Sequence, residues 1–62
     1  MGDIIDRVSL QDQIAEVRRE IEMRKQVYPR LIDATKLSKA EAERRTLAMQ
    51  AVLRSLERLR TG

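Results

Sequence analysis

Between Gly2 and Gly62 the chain has no glycine and a single proline, Pro29. Glycine and proline are the strongest punctuation a backbone carries, so a chain nearly free of them has few places at which a helix must stop. Arg, Glu, Ala, Leu and Gln, all good helix formers, dominate the intervening positions. No alternating β-branched run reads as a strand. No linker, low-complexity stretch or repeat divides the sequence, so residues 1–62 are expected to form one all-α unit.

Apolar residues recur at Leu10, Ile14, Val17, Ile21, Tyr28, Leu31 and Ile32, spacings that place them on one face of a helix. Arg24 fills the gap in that row and can snorkel from its edge. The first helix is expected over about residues 6–34, kinked near Pro29, whose ring lacks an N–H and crowds the preceding turn. Two starts fit: Ser9 as an N-cap, or a point nearer Asp3 that brings in Ile4, Ile5 and Val8. Ion pairs of helical spacing are Asp3 with Arg7, Glu16 with Arg19, and Glu20 with Arg24.

A turn over about residues 35–38 ends at Ser38-Lys39-Ala40-Glu41, a capping-box pattern. Leu37 before it suits a hydrophobic staple. The second helix is expected over about residues 39–60, with Ala42, Met49, Val52, Leu53, Leu56 and Leu59 as its inward row and Glu41–Arg45 as a further ion pair. Two amphipathic helices joined by so short a turn must run antiparallel. If the turn is centred between Lys36 and Leu37, Ile21 comes level with Val52, and Tyr28 comes level with Arg45.

Size bears on partners. A chain of 62 residues is below the roughly 70–80 at which one core suffices without a disulfide, a metal or a second chain. Cysteine and histidine are both absent, which removes disulfides and the commonest zinc ligands. Association is left, and an antiparallel two-helix hairpin dimerising into a four-helix bundle, with coiled-coil-like packing, is expected. Met23, Val27, Leu47, Ala48 and Ala51 lie off the inward rows and are the apolar part of the expected partner or dimer surface. Arg24, Tyr28, Arg44, Arg45, Arg54 and Arg58 complete it as a polar rim.

No catalytic or cofactor chemistry is expected. Glu16 with Glu20 and Glu41 with Glu43 are paired carboxylates, but each has arginine nearby, and a hairpin has no pocket in which to shift a pKa. No Gly-rich phosphate loop or nucleophile–base constellation occurs. Net charge is +3, carried by ten arginines and three lysines. Arg44, Arg54 and Arg58 on the outer side of the second helix make RNA or DNA binding the weaker alternative, since Glu43 and Glu57 interrupt the strip. The longest apolar run is three residues, as at Ala51-Val52-Leu53, too short for a transmembrane span or signal-peptide core.

One stretch is unusual inside a helix-rich chain: Arg24-Lys25-Gln26-Val27-Tyr28-Pro29-Arg30. With Ala40, Ala42 and Glu43, and then Met49-Gln50-Ala51-Val52-Leu53, it resembles a group of small bacteriophage and prophage proteins marked by an R-x-x-VYPR stretch. Leu31 stands where those proteins usually carry an aromatic residue, and Thr35 where a turn glycine is expected. The resemblance covers about residues 10–60. It implies a phage or prophage origin, residence in the cytoplasm of the bacterial host, and a role in binding and modulating a host protein, as inhibitors of defence systems and regulators do.

Overall fold

A computed structural model describes residues 8–61, the side chain of Thr61 excepted. Two helices make it up: α1, Leu10–Asp33, and α2, Lys39–Thr61. They pack against each other, and no strand occurs among the described residues.

Of the two starts open for α1, the structure has the one at Ser9. Its hydroxyl accepts from the Asp12 N–H at 3.0 Å, and its carbonyl accepts from the Gln13 N–H. A serine oxygen here satisfies one of the N–H groups that a first turn leaves without a partner. The helix therefore opens at Leu10 rather than near residue 6, and Val8 and Ser9 are non-helical. The alternative start near Asp3 and the Asp3–Arg7 pair lie outside the described residues.

α1 passes through Pro29 and ends four residues later. Its end is a Schellman motif: the Lys36 N–H donates to the Leu31 carbonyl and the Thr35 N–H to the Ile32 carbonyl. This closure needs one residue in left-handed geometry, and Thr35 takes it with φ 54°. The turn spans residues 34–38. At its exit the Ser38 hydroxyl accepts from the Glu41 N–H at 3.0 Å. Glu41 does not close the box by reaching back; its carboxylate goes forward to Arg44 and Arg45.

The core lies along the seam. Ile14, Ile21 and Ala42 are buried, and Ile14, at 2% exposed, is the most enclosed. Val17, Tyr28, Leu31 and Ile32 from α1, and Met49, Leu53 and Leu56 from α2, are half-buried beside them. The inward row of α2 differs from expectation at two places. Val52 is 44% and Leu59 70% exposed, while Thr46 is half-buried. The row that faces α1 is Ala42, Thr46, Met49, Leu53 and Leu56, alternating four and three residues. Thr46 holds a half-buried position because its hydroxyl donates to the Ala42 carbonyl one turn back, at 2.9 Å. Val52 and Leu59 sit one position round from that row, on its flank.

Candidate interaction surface

A hairpin is a single layer of two helices, so each helix has one covered side and the pair has two broad faces. Seen from one end, α1 and α2 wind in opposite senses because they run antiparallel. Since they also face each other, corresponding flanks fall on the same broad face. The Arg18–Glu57 ion pair (2.6 Å) demonstrates this, bridging α1 to α2 on one face. At 3.6 residues per turn, Met23 and Val27 fall on the opposite flank of α1. Val52 and Leu59 fall on the matching flank of α2, with Ala48 between them and the outer side.

The two faces differ in chemistry. Met23, Val27, Val52 and Leu59 account for four of the six exposed large hydrophobics among the described residues; the other two are Val8 and Leu47. The face bridged by Arg18 and Glu57 carries Gln11, Lys25, Glu43 and Gln50 in the corresponding positions. One broad face is apolar and the other polar.

Charges on the apolar face are matched at short range. Glu16 pairs with Arg19 at 2.6 Å and Glu20 with Arg24 at 3.3 Å, both within α1. On α2, Glu41 receives Arg44 at 2.6 Å and Arg45 at 2.9 Å. Hydrogen bonding from Arg19, with its charge, holds the Glu16 carboxyl below the ordinary glutamate range. Bonds from Arg44 and then Arg45 do the same for Glu41. The Arg45 guanidinium is correspondingly held more firmly protonated, first by Glu41 and to a lesser degree by the Tyr28 hydroxyl. The proximity of Tyr28 to Arg45 is the register that a turn centred between Lys36 and Leu37 requires.

The eleven residues expected to form one surface separate into three groups. Met23, Val27 and Ala48 share the apolar face, with Arg24 and Arg45 at its inner edge. Tyr28 is half-buried at the seam, under the Arg24 guanidinium, whose carbon is 5.9 Å from the ring centre. Arg44, Leu47, Ala51, Arg54 and Arg58 stand on the outer side of α2, where Leu47 is 59% exposed. Val52 and Leu59 belong to the apolar face although they read as core in the sequence. The clue was available in the spacing: once Thr46 is counted as inward, the four-and-three alternation passes Val52 by.

A cavity of about 10 Å³ lies in the seam between Ile21, Arg24, Lys25, Thr46 and Met49. That is room for one water molecule at most. Among the described residues no helix is long and apolar enough to cross a membrane. No family model, curated protein or solved structure matches the chain.

Proposed function

We propose that this chain is a small phage-type protein-interaction module without enzymatic activity, which pairs as a hairpin homodimer in a four-helix bundle and binds a host protein in the bacterial cytoplasm. The modulation of a defence system or regulator is the role that fits the resemblance of its R-x-x-VYPR stretch. One observation carries the reading. Three described residues are buried in the hairpin, whereas six large hydrophobic side chains stand exposed. Exposed apolar surface rimmed by polar groups marks association sites, and four of these six side chains fall on one broad face of the hairpin.

A second reading has an observation of its own. Acids and bases balance along α1, so the positive surplus lies on α2, where Lys39, Arg44, Arg45, Arg54, Arg58 and Arg60 outnumber Glu41, Glu43 and Glu57. A basic strip of this kind suits RNA or DNA. The two readings part on salt, because neutralising several phosphates makes affinity fall steeply as salt rises. An apolar-centred interface loses far less. Affinity capture from host lysate, with and without nuclease and at two salt concentrations, tests them. The expected result is one stoichiometric protein that survives nuclease and high salt with the natural chain and is lost with Leu47→Glu. Recovery of nucleic acid alone, released by moderate salt, overturns the protein-binding reading.

A further inference from the structure

We infer that Arg24, Arg45 and the Tyr28 hydroxyl form a binding site for a phosphate group with three or more free oxygens, at the edge of the seam near the turn. The site is complete within one hairpin and needs neither a second copy nor a host protein.

Its charge begins at Glu41. The two carboxylate oxygens of Glu41 accept four bonds, three from Arg44 at 2.6 to 3.1 Å and one from Arg45 at 2.9 Å. A carboxylate has about four lone-pair sites. Two guanidiniums therefore fill Glu41, while its single negative charge neutralises one of them. Glu20 and Arg24 make a balanced pair at 3.3 Å. Three arginines thus share two carboxylates, and one positive charge is left over. The neighbouring acids do not take it up, since Glu16 is bonded to Arg19 and Glu22 to Lys25.

The donors are also placed for a ligand. Arg24 and Arg45 are both held by their glutamates through Nε. Their Nη1–Nη2 edges make no hydrogen bond to a carboxylate among the described residues, and such an edge is the fork that grips phosphate oxygens. Tyr28 is the neighbour they share. The Arg24 guanidinium lies over its ring, 5.9 Å from the centre, and its hydroxyl lies beside Arg45. With a cation over the ring, an anion is directed to the hydroxyl edge, where the O–H can donate. The side chains of Arg24 and Glu41 are 31% and 29% exposed, so the site is partly withdrawn from water, and charge-assisted bonds gain strength there.

Two forks and a hydroxyl set about one ring approach a ligand from different directions. A planar carboxylate offers two oxygens and satisfies one fork. A phosphodiester also leaves only two oxygens free. Inorganic phosphate or a phosphate monoester offers three or more, with a charge of about −1.5 to −2 at pH 7. The site is matched to that group rather than to a nucleic-acid backbone.

The test is a titration of the natural chain with inorganic phosphate at pH 7, sodium chloride holding the ionic strength constant, followed by the arginine Nε–H resonances. Those of Arg24 and Arg45 are expected to shift together and to saturate with a Kd of roughly 1 mM, while that of Arg54, on the outer side of α2, stays in place. Arg45→Gln is expected to weaken the saturation at Arg24 about tenfold or more, and Arg54→Gln to leave it unchanged; circular dichroism checks that each variant keeps its helices. Should the glutamine variant unfold, Arg45→Lys decides. It retains the charge without the fork and is expected to weaken binding as well; undiminished binding overturns the two-fork site. Shifts that sodium chloride alone reproduces, or that do not saturate, overturn the site, as does an equal loss with Arg54→Gln. Dimethyl phosphate is expected to bind about tenfold more weakly than inorganic phosphate; equal binding overturns the assignment to a phosphate with three free oxygens.

Discussion

Thr35 has the least comfortable backbone in the hairpin. A β-branched residue in left-handed geometry places its Cβ against the neighbouring carbonyl, at a cost of roughly 1–2 kcal/mol. Thr35 recovers part of that through its hydroxyl, which donates to the Ala34 carbonyl at 2.6 Å. Glycine adopts the geometry freely but loses more entropy on folding. Thr35→Gly is accordingly expected to stabilise the hairpin by about 0.5 kcal/mol; a lower melting temperature would show that the hydroxyl bond outweighs the strain. Ser38 gives the opposite case. Its hydroxyl is the bond that starts α2, and Ser38→Ala is expected to cost about 1 kcal/mol by thermal unfolding. Ser38 could be singled out from sequence, because a cap involves only neighbours a few positions away; Thr35 was marked only by the resemblance, as the place of an expected turn glycine.

Within each helix, the ion pairs act on stability through protonation. The Glu16 and Glu41 carboxyls are held below the ordinary glutamate value of 4.5 in the folded chain. A lowered folded pKa contributes stability that is complete above the unfolded value and disappears as pH falls through the folded one. Helicity and melting temperature are therefore expected to hold from neutral pH down to the ordinary glutamate range and to decline below it. Replacing Glu41 by Gln is expected to flatten that decline; an equally steep loss in the variant would assign it to other carboxylates. The pairs at helical spacing were readable because i,i+3 and i,i+4 neighbours are determined by the helix itself. The forward turn of Glu41 was not, since the capping-box pattern leaves its carboxylate a choice between the backbone behind and two arginines ahead.

For the molecule as a whole, stability depends on a short seam. Ile21→Ala at its middle is expected to cost 2–4 kcal/mol, and in denaturant the unfolding midpoint should shift by an amount that matches. A small shift would mean that the neighbours collapse into the space. The hairpin and its register were legible because so short a connection, five residues, leaves two amphipathic helices no other course. Which row of α2 faces inward was not. Apolar residues occupy two adjacent rows there, and side-chain identity favours Val52 and Leu59, whereas the seam takes Thr46. A threonine that hydrogen-bonds its own helix behaves as a small, nearly apolar residue, and composition alone does not register that bond. The second broad face is a different matter. Its apolar residues were visible one by one, but that Met23 and Val27 share a plane with Val52 and Leu59 follows only when the two helices are set side by side.

The position of Tyr28 makes the molecule report on itself. It is the chain's only aromatic residue, so all near-ultraviolet absorption and emission arise from one ring, and that ring lies on the seam beneath Arg24 and close to Arg45. Parting the helices takes it away from Arg45 and opens its seam side to water, while helix content is read separately in the far ultraviolet. If the helices exist only when joined, the two optical signals must change at the same denaturant concentration; if α1 persists alone, the tyrosine signal will change first.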